Sequence, residues 1–224
     1  MNLDGKRILI TGAAGGLGRA VTEIVKQQGG TALLMDLDFP HDFARGLEKH
    51  TVDITDRSAV RQAVSAMGRI DALFNLAGGF HMGPESHDLD DDGWDRMFQL
   101  NVETLRTMVS VVVPLMKQQG RGCVVNIGAL GALQGQANLG AYCAAKSVVM
   151  RLTESLSGEL RNEGINVNAV LPSIIDTPAN REAMPDADPG LWVSPYDLAN
   201  VICFLASDQA RAIHGALLPV RGLS

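Results

Sequence analysis

The sequence predicts a single α/β domain with a doubly wound parallel sheet, and three observations lead to that fold class. The chain has 224 residues, which is the size of one domain. Short runs of branched apolar residues, typical of buried parallel strands, alternate with amphipathic segments of helical length. There are 24 glycines and only 4% aromatic residues, as expected where tight turns join strands to helices. We therefore expect one domain over residues 1–224, with helices flanking both faces of a central sheet.

The same alternation assigns each element in chain order. Runs of Val, Ile, Leu and Ala bounded by turn residues are assigned as strands, and the longer amphipathic segments that follow them as helices. The predicted strands are Arg7–Thr11, Thr31–Asp36, His50–Val52, Ala72–Asn75, Gly122–Ile127, Asn166–Leu171 and Ala216–Val220. The predicted helices are Gly16–Gln28, Arg57–Met67, Gly93–Gln119, Ala141–Arg161 and Pro195–Ala206.

One stretch, at about residues 176–192, fits neither pattern. It contains Pro178, Pro185 and Pro189 and follows the carboxyl end of a predicted strand. Ligands of open α/β sheets bind at the carboxyl ends of the strands, and loops there commonly carry function. We expect a short substrate lid, with an ordinary surface loop as the alternative.

Composition excludes several classes of partner. The net charge of −6 comes without a basic face, so nucleic-acid binding is not expected. The longest apolar stretch, Met108–Met116, is far shorter than the roughly 18 residues that span a bilayer, and no signal peptide opens the chain. Three cysteines without a CxxC pair indicate reduced thiols, and the histidines show no metal-ligand spacing. We expect a cytoplasmic protein without a metal site.

A glycine-rich loop follows the first predicted strand directly. Gly12, Gly16 and Gly18 form the pattern T-G-x-x-x-G-x-G, with Leu17 between the last two. Glycines allow unusual backbone angles and the close approach of a pyrophosphate. The helix that begins near Gly16 then offers its amide groups and positive dipole end to the phosphates. This strand–loop–helix context predicts dinucleotide binding in a Rossmann domain.

The predicted second strand ends at Asp36, about 20 residues after the loop. A carboxylate there can accept both hydroxyls of an adenosine ribose and would repel a 2′-phosphate. Asp38 adds a second negative charge, and no Arg or Lys occurs between Asp36 and Arg45. These charges favour NAD(H) over NADP(H).

With these motifs in place, the chain resembles the short-chain dehydrogenase/reductase family, and the likeness extends over nearly its whole length. The family's N-N-A-G motif is present as Asn75-Leu76-Ala77-Gly78, and P-G-x-x-x-T as Pro172-Ser173-Ile174-Ile175-Asp176-Thr177; Leu76 and Ser173 depart from the pattern. The resemblance implies a cofactor site formed by Gly12, Gly16, Leu17, Gly18, Asp36, Asp53, Ile54, Asn75, Ala77, Gly78, Tyr142, Lys146, Pro172, Ile175 and Thr177.

The resemblance also implies the catalytic residues Tyr142, Lys146 and Asn101. Tyr142 and Lys146 form the Y-x-x-x-K motif, and their i,i+4 spacing places them on one helix face. An adjacent ammonium favours a phenolate, so the pKa of Tyr142 is expected to fall toward neutrality. Tyr142 would then exchange a proton with the substrate, Lys146 would also hold the nicotinamide ribose, and Asn101 would support a water-mediated proton relay.

Family members usually carry a Ser thirteen residues before this Tyr, where the present chain has Ala129. No Ser or Thr occurs between Cys123 and Ala141, so no small shift in alignment supplies one. Three explanations are open. Catalysis is weak or lost; or another donor, Gln134, Gln136 or Asn138, replaces the hydroxyl; or the substrate does not need it.

The third explanation has a precedent in the dihydropteridine reductase branch of the family, which is similar in lacking the Ser. Two further segments resemble that branch: GALGALQGQANLGAYCAAK, and IDTPANREAMPDAD with the nearby Trp192. A quinonoid dihydropterin is easily reduced, so a single acid suffices for it.

The sequence thus predicts an NAD(H)-dependent oxidoreductase that transfers a hydride to or from a carbonyl or imine-like small molecule, with a quinonoid dihydropterin as a candidate substrate. The alternative is a cofactor-binding sensor or scaffold with weak or lost catalysis. The apolar faces of the two longest predicted helices exceed what one sheet face needs, which predicts a homodimer or homotetramer.

Overall fold

Seven parallel strands form one sheet in the computed structural model, which describes residues 2–88 and 90–224. Met1 and Leu89, which fall in the predicted domain, lie outside the described residues. The strand order is β3-β2-β1-β4-β5-β6-β7. β2 and β3 therefore lie on one side of β1, and β4 to β7 lie on the other side. The strands are β1 (Arg7–Thr11), β2 (Thr31–Asp36), β3 (Glu48–Thr51), β4 (Ala72–Asn75), β5 (Gly122–Ile127), β6 (Ile165–Pro172) and β7 (Leu217–Val220).

Helices cover both faces of this sheet, which confirms the predicted fold class. Side chains cap several of them: Asp56 accepts hydrogen bonds from the amides of Ser58 and Ala59, and Asp90 accepts one from the amide of Gly93. The helices are α1 (Gly16–Gln27), α2 (Arg57–Met67), α3 (Asp91–Phe98), α4 (Thr104–Gln119), α5 (Gly140–Leu160), α6 (Pro178–Ala183) and α7 (Pro195–Leu205). None within the described residues is long and apolar enough to cross a membrane.

The core consists of two apolar layers separated by the sheet. Because side chains alternate between the faces of a strand, Ile10 of β1 packs into one layer and Leu9 into the other. α1 and α7 complete the first layer, and α2 and α4 complete the second. Burying one such side chain stabilises the fold by about 1.5–3 kcal/mol. Packing in both layers fixes the positions of the carboxyl ends of the strands. Functional residues are expected at these ends.

The largest differences from the sequence prediction lie in three places, and the other element ends differ by at most one residue. β3 covers 48–51 rather than 50–52, because its pairing with β2 recruits polar residues at the sheet edge that carry no apolar signal. The helix predicted over 93–119 begins at Asp91 and contains a π-helical turn, Gln99–Glu103. The segment at 176–192 contains α6, and a bridge between Ile175 and Val193 closes its base.

Candidate active site

The glycine loop after β1 has no room for side chains at the predicted positions. Gly12 has a φ of +63°, and a Cβ there would lie 2.9 Å from the amide nitrogen of Ala77. A Cβ on Gly18 would collide with the carbonyl oxygen of Gly12, and one on Gly16 would lie 3.0 Å from Cγ2 of Thr177. The loop is therefore in van der Waals contact with the segments after β4 and β6. Three predicted cofactor-binding segments meet in one place.

The first turn of α1 is suited to bind an anion. Gly15, the residue before this turn, has no side chain that could cap the helix. The amide groups of the first turn therefore have no side-chain acceptor at that position. Leu17 is partly buried and packs against the first core layer. A tightly folded glycine loop with open amides at a helix start fits a pyrophosphate.

Asp36 holds the glycine loop from the end of β2. Its Oδ2 accepts a hydrogen bond of 2.8 Å from the amide of Ala14, and its Oδ1 accepts one of 2.7 Å from the amide of Leu37. Each oxygen retains a lone pair for a further donor, such as a ribose hydroxyl. The Asp36 end of the site, as we term Ala14, Asp36, Asp53 and Ile54, also includes an exposed carboxylate on Asp53 and a buried Ile54 side chain.

The backbone after β4 is held by Thr11, a residue that sequence reasoning missed. The Oγ1 of Thr11 accepts hydrogen bonds from the amides of Leu76 and Ala77, at 3.1 and 3.2 Å. Its hydroxyl donates to the carbonyl oxygen of Phe74 at 3.3 Å. The sequence signal that could have identified Thr11 is a hydroxyl residue at the end of a buried strand, directly before Gly12.

Asn101 lies in the π-helical turn between α3 and α4 and is only 3% exposed. Its Nδ2 donates to the carbonyl oxygens of Gly79 and Met97, each at 3.0 Å, and its Oδ1 accepts from the amide of Gly79 at 3.2 Å. One amide hydrogen and the amide oxygen thus hold Gly79 in the loop after β4, and the other hydrogen bonds Met97 in α3. π-helical turns often occur at functional sites, and this one places Asn101 toward Gly78. Asn101 is thus fixed between α3 and the loop after β4.

Lys146 reaches the same point from α5. A Cβ on Gly78 would lie 2.7 Å from Oδ1 of Asn101 and 3.3 Å from Nζ of Lys146. The ammonium donates a hydrogen bond of 3.0 Å to the carbonyl oxygen of Ile127, at the end of β5. Lys146 is 6% exposed, and burial lowers its pKa to about 8. Asn101, Gly78 and Lys146 therefore form one packed cluster.

The pKa of Tyr142 departs from the sequence prediction, which was wrong in its direction. Burial raises the pKa of Tyr142 to about 12, because the charged phenolate loses hydration there. The Lys146 ammonium does not contribute to this shift. Tyr142 is consequently a neutral phenol at physiological pH, suited to donate a proton. In the Tyr142 end of the site, as we term Gly78, Asn101, Tyr142 and Lys146, Asn101 and Lys146 are buried, Tyr142 is partly buried and Gly78 is exposed.

A small cavity lies between the loop after β4 and the start of α5, where Gly140 and Ala141 line it. The ring of Phe80 meets the ring of Tyr142 edge-on, with centroids 5.0 Å apart. The cavity has a volume of about 210 Å³, and its lining includes His81, Glu85, Asp90, Asp91, Trp94 and Asn138. A larger cavity of about 550 Å³ lies at the opposite, amino edge of the sheet, and it is lined by none of the predicted site residues. Tyr142, Lys146 and Asn101 line neither cavity, but the smaller one is lined by Ala141, the residue before Tyr142.

A buried polar chain, also missed by sequence reasoning, joins the two strands at this end to α5. Nδ2 of Asn75 donates to Oδ1 of Asn126 at 2.8 Å, and Nδ2 of Asn126 donates to Oγ1 of Thr153 at 2.9 Å. Thr153 donates in turn to the carbonyl oxygen of Val149. Oδ1 of Asn75 is buried without a partner among the described residues, so it is an unused acceptor at the carboxyl edge of β4.

Ala129 lies in an apolar cluster that includes Cys143 and Met150, and it is 5% exposed. Of the three candidate substitutes for a hydroxyl, Gln134 is exposed and Gln136 donates its Nε2 to the carbonyl oxygen of Gly131. Asn138 alone lines the small cavity.

The segment after β6 is ordered beside the glycine loop. β6 ends at Pro172, which is buried. Thr177 caps α6 by accepting a hydrogen bond from the amide of Asn180, whose Nδ2 donates to the carbonyl oxygen of Ile175 at 2.8 Å. Thr177 thereby presents its methyl group to Gly16. Of the three predicted residues of this segment, Thr177 lies against the glycine loop.

Comparison with known proteins agrees with this geometry. The family model for short chain dehydrogenase matches residues 6–188. The chain belongs to this family. It is 32% identical to a 3-oxoacyl-(acyl-carrier-protein) reductase of Thermotoga maritima, over 99% of the chain and 98% of that relative. It is 30% identical to a 2,5-dichloro-2,5-cyclohexadiene-1,4-diol dehydrogenase of Sphingobium indicum, over 98% of the chain and 96% of that relative.

Solved structures of the family share the architecture closely. A 3-ketoacyl-(acyl-carrier-protein) reductase from Brucella melitensis, complexed with NADH, has a TM-score of 0.86 at 28% identity, covering 99% of this chain and 98% of that one. A putative gluconate 5-dehydrogenase from Beutenbergia cavernae, with bound NADP at low occupancy, has a TM-score of 0.88 at 26% identity, covering 99% and 97%. This short-chain dehydrogenase therefore belongs to a family of NAD(P)-dependent oxidoreductases whose members differ in cofactor.

Proposed function

We propose that the protein is an NAD(H)-preferring reductase of small carbonyl or imine-like molecules, with Tyr142 as the proton donor. The observation that carries this proposal is the packed cluster of Asn101, Gly78 and Lys146 beside a protonated Tyr142 and a small cavity. When bound, a nicotinamide cofactor supplies the hydride. Gly12, Gly16 and Gly18 leave the room that its phosphates need, so the residues present fit that group.

The roles of the side chains follow from their protonation states. With a pKa of about 12, Tyr142 holds its proton and donates it to the substrate oxygen or nitrogen as the adjacent carbon receives a hydride. In this proposal the Lys146 ammonium, fixed on the carbonyl oxygen of Ile127, holds the nicotinamide ribose. In the oxidation direction the same groups act in reverse.

For the substrate we propose a quinonoid dihydropterin. The segments 128–146 and 175–188 support this through their likeness to dihydropteridine reductases. The cavity beside Tyr142 adds physical support. Its carboxylates, Glu85, Asp90 and Asp91, can accept hydrogen bonds from the ring amino groups of a pterin, while Trp94 provides an aromatic wall. A flat conjugated ring would also lie against Phe80, which is edge-on to Tyr142.

A substrate panel with NADH and NADPH tests the proposed function. It contains a quinonoid dihydropterin, a quinone and a simple ketone, and the oxidation of the reduced cofactor is followed by absorbance. We expect turnover of the pterin with NADH to exceed that of the ketone. Turnover of the ketone alone would leave a generic carbonyl reductase and remove the pterin.

One observation favours a second function, a cofactor-binding sensor with weak or lost catalysis. Ala129 presents a methyl group, within an apolar cluster, where relatives usually place a hydroxyl donor. Binding of NADH by the wild-type protein, with no turnover of any substrate in the panel, would support the sensor over the enzyme.

We also propose that the protein is a homodimer or homotetramer. Val109, Val111 and Leu115 of α4, together with Val148 and Leu152 of α5, are apolar but only partly buried within the chain. Sedimentation equilibrium at micromolar concentration tests this, and a monomer mass would contradict it.

A further inference from the structure

The larger cavity, of about 550 Å³ at the amino edge of the sheet, contains none of the residues of the proposed reaction. It is lined by residues at or just before the starts of β1, β4, β5 and β6, and by the turn after α7. Small-molecule sites occupy about 300–1,000 Å³, so this cavity is large enough for one. The charged residues that line it are the cations Lys6, Arg69, Arg121 and Arg211, and the carboxylates Asp4, Asp71 and Asp208.

Two of these cations are paired with carboxylates of the same cavity wall. Nζ of Lys6 donates to Oδ1 of Asp208 at 2.7 Å, and Nε of Arg69 donates to Oδ2 of Asp71 at 3.1 Å. The remaining carboxylate, on Asp4, lies against the turn that precedes β2. The charges of Lys6 and Arg69 are therefore largely cancelled by their partners.

The other two cations, Arg121 and Arg211, are not neutralised in this way. Nη2 of Arg121 is 3.5 Å from Oδ1 of Asp71, and the Arg211 side chain forms no hydrogen bond or ion pair with a described residue. Both side chains are exposed. The pKa of Asp208 is lowered first by its hydrogen bond with Lys6, and in part by the charges of Arg211 and Arg121. Both guanidinium groups therefore lie near one carboxylate of the cavity.

The backbone that carries the two guanidinium groups is held in place on both sides. Nδ2 of Asn166, at the start of β6, lies 3.0, 3.1 and 3.3 Å from three carbonyl oxygens of the turn that contains Arg211. A Cβ on Gly164 would collide with the carbonyl oxygen of Gly120, so the turn that contains Arg121 packs closely against the turn before β6. A site whose backbone is fixed before binding loses less entropy when a ligand binds.

We propose that this cavity binds a hydroxylated phosphate monoester, whose phosphate is held by Arg121 and Arg211. A guanidinium presents a planar fork of N–H donors that matches the oxygens of a phosphate. Oδ2 of Asp208 accepts no hydrogen bond from a described residue, so it is available to a hydroxyl group of the ligand. A free phosphate ion would fill only a small part of a cavity of about 550 Å³, which leaves room for the organic part.

Titration calorimetry with glucose 6-phosphate as the probe tests the role of the two arginines. Arg121→Gln and Arg211→Gln should each weaken binding about five-fold or more, because each variant loses a charge-assisted hydrogen bond to the phosphate. Arg61→Gln removes the same charge from an exposed position on α2, outside the cavity lining, and should bind the probe like the wild-type protein. Unchanged affinity in both cavity variants, or no binding to the wild-type protein, would overturn the proposal.

Two further probes separate the parts of the ligand. Glucose lacks the phosphate and inorganic phosphate lacks the hydroxylated part, so each should bind about ten-fold or more weakly than glucose 6-phosphate. Equal affinity for inorganic phosphate and the ester would show a site for a free anion and overturn the ester.

NADH distinguishes this site from the glycine loop, which also fits a phosphate. The cavity lies at the opposite edge of the sheet, so saturating NADH should leave the dissociation constant of glucose 6-phosphate unchanged. Displacement of the ester by NADH would place it at the glycine loop and overturn the proposal. Failure of the protein to bind NADH would instead refute the proposed function, and the arginine variants would still decide whether the cavity binds the ester.

Discussion

The two ends of the site differ in how far their charged groups are removed from water. At the Tyr142 end, Lys146 is 6% and Asn101 3% exposed, and burial shifts the pKa values of both Tyr142 and Lys146. At the Asp36 end, Asp53 is exposed and Asp36 is only partly buried. Desolvation therefore controls the first end, while solvent-screened charges control the second.

This contrast predicts where a substitution matters and what it changes. At the buried end an unmatched polar or charged group is costly, so single changes should alter chemistry or stability strongly. At the exposed end charges act through a high dielectric, so single changes should alter selectivity by modest factors that salt reduces. The predictions below test the buried end.

The largest effect is expected for Tyr142→Phe. Removing the hydroxyl removes the proton donor, so kcat should fall by about 10² or more. The affinity for NADH should change less than two-fold, because the glycine loop is untouched. Stopped-flow turnover and cofactor fluorescence measure the two separately. Tyr196→Phe is the matched control, since that hydroxyl only donates to Glu23 on the surface. Retention of turnover by Tyr142→Phe would remove Tyr142 from the reaction.

Gly78→Ala should have the next largest effect. The added Cβ would lie 2.7 Å from Oδ1 of Asn101 and 3.3 Å from Nζ of Lys146, so both must shift. Displacing groups that orient reacting atoms by a few tenths of an ångström should lower kcat/KM about ten-fold. Gly135→Ala is the control, because nothing lies within 4 Å of a Cβ there. Equal kcat/KM in the two variants would mean that this cluster does not position the reaction.

Lys146 predicts a dependence of stability on pH. Its pKa is lowered from 10.5 to about 8 in the folded protein, so the unfolded chain binds more protons between those values. The free energy of unfolding should therefore rise with pH in that window, by about 1 kcal/mol between pH 7 and pH 9. The Lys146→Met variant should lack this rise. The raised pKa of Tyr142 affects the free energy of unfolding only above pH 10, outside this window. Urea unfolding of both proteins at pH 7, 8 and 9 measures this difference. If the free energy of unfolding depended on pH in the same way in both proteins, the lowered pKa of Lys146 would be refuted.

The same contrast separates what the sequence could predict from what it could not. Glycine spacing and the Tyr142–Lys146 interval are local patterns, and they located residues that the fold brings together. The direction of the Tyr142 pKa shift depends on burial by distant elements, which spacing does not encode. The contacts of Thr11 with Ala77, and of Asn126 with Thr153, cross from one element to another and likewise have no local signature. β3 was misplaced because its polar residues are ordered only by pairing with β2.

The smallest effect is expected for Ala129→Ser, on the proposed pterin. Ala129 is 5% exposed in an apolar cluster, so a new hydroxyl would cost at most about 1–3 kcal/mol if it stayed unpaired. If Tyr142 alone protonates the pterin, kcat/KM for that substrate should change less than about three-fold. A plain ketone develops charge on its oxygen during reduction, so a second donor should raise its kcat/KM by more. Ala137→Ser, on the exposed part of the same loop, controls for the added hydroxyl. A large gain on both substrates would mean that the missing hydroxyl limits all catalysis, and the pterin proposal would lose its main support.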